Sequence, residues 1–294
     1  MRAFLFLCVA TLASPAFAQG RVAPRPDRTA LAGRSAQADR LAKPAENPPD
    51  VKALVFVLAD TMGMLRGLQQ EDSILTLEQW AKGTLTVGGQ KYDLPEHRTS
   101  INYAVPGMRI DYRRQAAGGQ AQRQIEVVSG GAAWNETDRG RGATPARERI
   151  RERLVYLWTT PMGVVKAARA AGPKATIKAA GGATILSFPL PAPVDDVMAH
   201  VTVRKDASLL ARPNPAALPS LVGSYITRVE TTGGVVTEAT YAEYGDWNWD
   251  DYKADIMQPR RMTRKHGDMA LELMTVNTNT YNPYVVMPVP DNVK

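Results

Sequence analysis

From Trp80 onward apolar residues recur at every second position in short β-prone runs, and a period of two sends alternate side chains to opposite faces of a sheet. Runs at 80–87, 98–104, 108–114 and 122–128 are cut apart by Gly88-Gly89, Pro106-Gly107 and Gly118-Gly119. Glycine pairs supply the positive φ angles of tight hairpin turns, so consecutive antiparallel hairpins are expected. Gly130-Gly131 leads into a short segment, 132–136. After Pro173 the pattern returns at 176–179, 184–188, 198–203, 224–230, 235–244, 255–263 and 269–276, with turns at Gly181-Gly182, Gly233-Gly234 and His266-Gly267-Asp268.

Three segments carry a helical period instead. Leu54, Val57, Leu58, Met62 and Leu65 predict an amphipathic helix over 51–68. Thr144-Pro145 offers a side-chain cap and a first-turn proline, followed by an apolar stripe of Ile150, Leu154, Leu157 and Trp158, with Arg147, Glu148, Arg151 and Glu152 left for solvent. Thr160-Pro161 repeats the start signal for a second helix, which Gly172-Pro173 ends. The order is helix, strands, two helices, strands. It points to an α+β domain with an antiparallel sheet covered on one face by helices, rather than to a parallel α/β enzyme.

The chain ahead of residue 51 reads differently. Arg2, an apolar run over 3–13 and the Ala16-Phe17-Ala18 ending describe a secretory signal peptide, 1–18, whose apolar part is too short to span a bilayer. Residues 19–50 hold five prolines, scattered Arg, Ala and Gly and few large apolar side chains, the composition of a flexible tether. Residues 51–294 are then one folded domain, periplasmic or secreted. The single cysteine, Cys8, lies inside the apolar run and does not fit a lipidation site, so the exported chain has no thiol and its stability has to come from a buried core. With 36 basic against 29 acidic side chains, an exported protein of this charge suits an anionic lipid surface or an acidic envelope protein; a nucleic acid is not expected.

Catalytic and cofactor motifs are missing. His97, His200 and His266 are far apart with no H-x-H or H-E-x-x-H spacing, and His97 and His266 are expected at the surface. Neither G-x-S-x-G nor S-x-x-K occurs, Gly223-Ser224-Tyr225 lacks the second glycine of a nucleophile elbow, and no nucleotide-phosphate loop is present, so no cofactor is expected. The stretch 241–252 concentrates aromatics and carboxylates. Asp246, Asn248 and Asp250 have the spacing that opens a calcium loop, but Asp251 stands where glycine is needed and Met257 where a bidentate glutamate should close the site. A sugar platform and a hairpin tip anchored by half-buried aromatics are the other readings. Trp134 and Trp158 are each either cavity lining or core plugs.

Several segments together resemble periplasmic proteins related to the outer-membrane lipoprotein carriers and receptors. They are the run 235–244 with its Tyr241 and Tyr244 pair, then Ile256-Met257-Gln258-Pro259-Arg260-Arg261, then 269–279 ending near Asn277 and Asn279, and a tail with Pro288. Ala133-Trp134-Asn135-Glu136 followed by Leu157-Trp158 and Thr160-Pro161 resembles a subset of that group. The resemblance implies a strongly curved antiparallel sheet, a half-open barrel with helices on its concave face around an apolar cavity that takes acyl chains. The Arg-rich insertion around 138–153 and the missing lipidated cysteine depart from the pattern, so neither the receptor role nor lipoprotein handling carries over.

The leading expectation is a soluble binding protein for an apolar or lipid-like ligand, with Trp134, Ile150, Leu154, Leu157, Trp158, Tyr241 and Tyr244 around the cavity. Arg139, Arg141, Arg147, Arg149, Arg151 and Arg153 would meet an anionic headgroup or partner surface. An accessory domain that contacts an envelope protein is the alternative. A carboxylate-dependent enzyme built on Glu136, Asp246, Asp250 and Tyr241 or Tyr244 is a third reading, and the chain is otherwise read as non-enzymatic.

Overall fold

The glycine pairs turn the chain where expected. In this computed structural model, which describes residues 50–67, 72–205, 223–249 and 255–294, Gly88-Gly89, Gly130-Gly131 and Gly181-Gly182 all have φ between 53° and 78°. Each closes a two-residue hairpin, a conformation that residues with a Cβ rarely adopt. The signal segment 1–18 and all but the last residue of the tether 19–50 lie outside the described residues, as do Asp250 and Asp251.

Thirteen strands form one antiparallel sheet: β1 (Thr76–Val87), β2 (Gln90–Asn102), β3 (Gly107–Gln115), β4 (Gln122–Ser129), β5 (Ala132–Glu136), β6 (Thr144–Pro145), β7 (Thr176–Ala180), β8 (Ala183–Pro189), β9 (Met198–Lys205), β10 (Ser224–Thr232), β11 (Glu238–Gly245), β12 (Gln258–His266) and β13 (Met269–Asn279). Their order across the sheet is β6-β5-β4-β3-β2-β1-β13-β12-β11-β10-β9-β8-β7. The chain therefore starts at the centre, meanders out to β6, crosses to the far edge and meanders back, so that its first and last strands pair in the middle. The sheet has two free edges and does not close.

The crossing is made by α2 (Ile150–Trp158) and α3 (Pro161–Ala171), joined by α1 (Val51–Thr61). Buried side chains of all three helices share one core with Met108, Val128 and Ala133 on one flank of the sheet and with Phe188, Val201, Ile226 and Val229 on the other. A flat sheet cannot bring both flanks to the same short helices, so the sheet curves around them and they occupy its concave face. These elements belong to one compact unit, Ala42–Lys294. No helix among the described residues is long and apolar enough to cross a membrane.

The helix boundaries show where tertiary contacts override local signals. α3 starts and stops as its sequence predicts: the Thr160 hydroxyl accepts from Gly163 N, Pro161 fills the first turn and Gly172 ends it at φ 53°. α1 is capped by Asp50, the last residue of the expected tether, but ends at Thr61 instead of running through 68. Gly63 is the cause, since a Cβ there would lie 2.3 Å from the carbonyl oxygen of Asp255, whose segment crosses at that point. Thr144-Pro145 does not cap a helix either; it pairs with Trp134 and Asn135 as a short edge strand, and a 3-10 turn, Arg147–Arg149, precedes α2. An edge position suits a proline that cannot donate a ladder hydrogen bond.

The tightest backbone approach lies at the central pairing. Gly83 of β1 faces Leu273 of β13, and a Cβ at Gly83 would sit 1.8 Å from the carbonyl oxygen of Glu272. Gly83→Ala is expected to destabilise the domain by about 3 kcal/mol through overpacking, read as a lower urea midpoint with unchanged slope; an unchanged midpoint would show that the two strands can separate there at no cost.

Candidate functional site

The residues expected around a cavity divide between the two faces. Met108, Val128 and Ala133 are register partners and face the helices, whereas their neighbours Arg109, Val127 and Trp134 are register partners on the opposite, convex face. Trp134 is fully buried there in a second core with Ile125, Val127, Val285, Met287 and Val293, under the C-terminal tail. The reading of Trp134 as lining for a concave cavity is thus corrected: it is a core plug on the other side of the sheet. Ile150, Leu154, Leu157, Trp158, Tyr241 and Tyr244 do lie on the concave side, where they pack with the helices in the main core. Among them Tyr241 borders a small interior cavity.

The arginines do not form one patch. Arg139 donates to Asp111 (2.8 Å) on the convex face, Arg149 to Glu152 (2.6 Å) and Arg151 to Asp196 (2.7 Å), while Arg141 and Arg147 are exposed. Arg153, expected beside them at the surface, is buried. Its guanidinium donates to the carbonyls of Val127 (2.9 Å) and Trp134 (2.7 Å) and to Asn135 Oδ1, tying α2 to β4 and β5.

The described carboxylates of the enzymatic reading, Glu136 and Asp246, are each engaged in structural hydrogen bonds. Glu136 lies on the convex face and accepts from Arg109 Nε (3.1 Å) and Nη2 (3.2 Å), Trp134 Nε1 (2.9 Å) and Gly140 N (2.8 Å), which engages both oxygens structurally. Tyr241 and Tyr244 sit on the concave side and donate to the carbonyls of Thr159 and Ile226. Burial holds the Tyr241 phenol up at about 12 and the Tyr244 phenol well above its ordinary value, so neither is a ready base. Asp246 accepts from Asn248 N, Asn248 Nδ2 and Asp255 N, and Asn248 Oδ1 accepts from Thr280 N and Oγ1. These bonds tie the loop after β11 to the end of β13. No cluster of three metal-ligating side chains exists among the described residues, and Asp250, the third residue of the calcium spacing, lies outside them.

What remains is a seam at the centre of the concave face. The helices approach the flanks most closely, α2 against β3, β4 and β5, α3 against β8 and α1 against β10. Opposite the central strands the space is bridged by side chains. Ala81, Leu85, Leu94, Leu271 and Leu273 form an apolar floor there, with Tyr112, Tyr156, Met262 and Met269 half-buried against it. Two small cavities lie along this floor. One, of about 30 Å³, is lined by Leu77, Gln79, Ile101, Met262, Arg264 and Tyr241; the other, of about 60 Å³, by Leu85, Leu94, His97, Tyr112, Glu126 and Arg153. Tyr156 and Leu271 line both. Tyr156 follows Val155 and precedes Leu157 on α2, and its place off the apolar stripe is why a helical period could not single it out.

His97 is the other residue that local sequence misplaced. Glu96 and Arg98 flank it, yet it keeps the alternation of Thr99 and Ile101 and so faces inward, where it is 4% exposed and stacks on Tyr112 at 5.9 Å. Burial lowers its pKa from 6.5 to about 4.

The chain matches no protein-family model, and no curated protein is similar to it in sequence. Among solved structures it is similar to a DUF1329 family protein from Desulfovibrio piger (10% identity, 81% of this chain and 96% of that one, TM-score 0.36). It is also similar to LprF from Mycobacterium bovis (11%, 83% and 99%, TM-score 0.31) and to the Mycobacterium tuberculosis lipoprotein LppX (10%, 80% and 98%, TM-score 0.26). On the chain's own strand order and core, the architecture is the open curved sheet wrapped on helices that the C-terminal motifs implied.

His97 gives the seam a pH signature. A group whose folded pKa lies below its unfolded value stabilises the fold above the unfolded value and loses that contribution as pH falls toward the folded one. Between pH 7 and pH 4 the protein is expected to lose about 3 kcal/mol that His97→Phe does not lose, measured by urea unfolding across that range; parallel pH profiles for the two proteins would refute the buried neutral imidazole.

Proposed function

We propose that this chain is a non-catalytic binding protein for an apolar or lipid-like ligand, held against the central strands of the concave face. One observation carries the proposal: an apolar floor of Leu85, Leu94, Leu271 and Leu273 lies in the part of the sheet that the helices approach least, and Tyr156 with Leu271 borders both small cavities above it. Cavities of about 30 and 60 Å³ hold only a few waters, whereas ligand pockets run to about 300 Å³ and more. Entry into these two cavities needs Tyr156 to swing aside or α2 and α3 to lift, while a wider open space of about 620 Å³, lined by Gly83, Leu94, Met262 and Leu273, adjoins the same floor. Burial of an alkyl chain on the floor would supply about 25 cal/mol per Å² of apolar surface. An export signal over 1–18 would place such a protein in the cell envelope.

The alternative, an accessory domain that works by contact, draws on exposed Leu75, Tyr281 and Tyr284 near the start of β1 and the C-terminal tail. The two readings separate on extraction of the purified exported protein with organic solvent, followed by mass spectrometry, beside a pull-down from envelope extract. Bound amphiphile supports the ligand reading; a stable protein partner with no amphiphile supports the other.

Tyr156→Ala tests the seam directly. It is expected to join the two cavities and tighten binding of the neutral fluorophore 1-N-phenylnaphthylamine, while destabilising the fold by about 3 kcal/mol, the order for removing a large core ring. Fluorophore binding absent from both the wild type and the folded variant would sink the proposal.

A further inference from the structure

We propose, resting on the ligand reading above, that Arg264 is the anchor for the headgroup of a single-chain carboxylate amphiphile, the anion of a long-chain fatty acid. Three arginines are buried among the described residues. Arg109 is paired with Glu136, and Arg153 lies 3.6 Å from Glu126. Arg264, 5% exposed, has no carboxylate in contact; its donors reach two neutral hydroxyls, Thr159 Oγ1 at 2.9 Å and the Tyr241 hydroxyl at 3.3 Å, and its guanidinium lies 3.8 Å from the centre of the Tyr156 ring. A buried cation without a counter-charge is costly, and an anion that enters its cavity recovers that cost.

The cavity beside Arg264 suits the proposed headgroup. At about 30 Å³ it has room for about two water-sized groups of 10–15 Å³ each, enough for the oxygens of a small headgroup such as a carboxylate. A planar guanidinium also presents the fork that grips a carboxylate through two parallel hydrogen bonds. The tail would follow the apolar floor. Tyr156 and Leu271 border both cavities, so displacement of the ring that Arg264 stacks upon opens the way over Leu271, Leu85 and Leu94. The headgroup would then break the stacking contact as it makes its own, linking ligand arrival to movement of α2.

A purely structural role has to be distinguished, because Arg264 also meets the C-terminal end of α2, where a cation is favourable. Headgroup selectivity separates the two roles. The full-length exported protein is loaded with 1-N-phenylnaphthylamine and titrated at pH 8 with palmitate or with hexadecanol, which has the same chain and no charge. Palmitate is expected to compete about tenfold or more better than hexadecanol, the ratio that a charge-assisted hydrogen bond supports. In Arg264→Gln the palmitate advantage is expected to vanish while hexadecanol competes as before. Arg264→Lys, which keeps the charge and loses the fork, should retain a reduced preference and serves if the glutamine variant does not fold. Equal competition by the two compounds in the wild type, or a preference that survives in Arg264→Gln, would overturn the anchor and leave the ligand reading standing. Failure of the fluorophore and of both compounds to bind would remove the ligand reading itself.

Discussion

β1 and β13 pair from Glu78 opposite Asn279 to Thr86 opposite Ala270, with one irregularity at Trp80 and Ala81. That contact holds together two meanders that would otherwise be separate sheets, since every other strand pair joins neighbours in the sequence. Local hairpins can form from their own turns, but a pairing between the first and last strands has to close nearly the whole domain, the kind of non-local contact that slows folding. The glycine at position 83 belongs to this constraint, because it lets the two backbones come together where any side chain would hold them apart.

Once the two meanders are joined at the centre, their outer edges lie far apart and the chain must travel from β6 to β7. It does so through α2 and α3 across one face, and the sheet curls until both flanks contact them. The flanks are backed by helices and the middle is spanned by long side chains. Incomplete packing at the centre is thus a consequence of the route, and it places the seam against the strands that hold the domain together. A ligand in that seam would bear on β1 and β13 directly.

Local chemistry was legible wherever a turn or a cap is decided by the residues themselves. Gly88-Gly89, Gly130-Gly131 and Gly181-Gly182 placed the hairpins, and Thr160-Pro161 with Gly172 placed α3. The period of two also grouped side chains by face. It could not say which group meets the helices, because the C-terminal tail covers part of the convex face and makes both sides of β4 and β5 apolar. Trp134 was assigned to the wrong side for that reason. His97 escaped because charged Glu96 and Arg98 flank it and mask the alternation it shares with Thr99 and Ile101, and Arg153 because its partners are backbone carbonyls, which carry no sequence signature.

The distribution of charge differs between the two faces. On the convex side charges come in complementary sets: Glu78 with Arg98, Asp111 with Arg123 and Arg139, and Glu136 with Arg109. Such sets need nothing further, since each buried or half-buried ion already has its counter-charge. The interior of the concave side departs from this rule at Arg264, on a strand where any apolar residue would have packed against Tyr156 and Leu271 without a desolvation penalty. A charge retained there at such cost, within a seam bounded by an apolar floor, has a physical rationale when its partner arrives from outside the chain. From its position at the end of α2, Arg264 would couple such an arrival to the helix through Thr159.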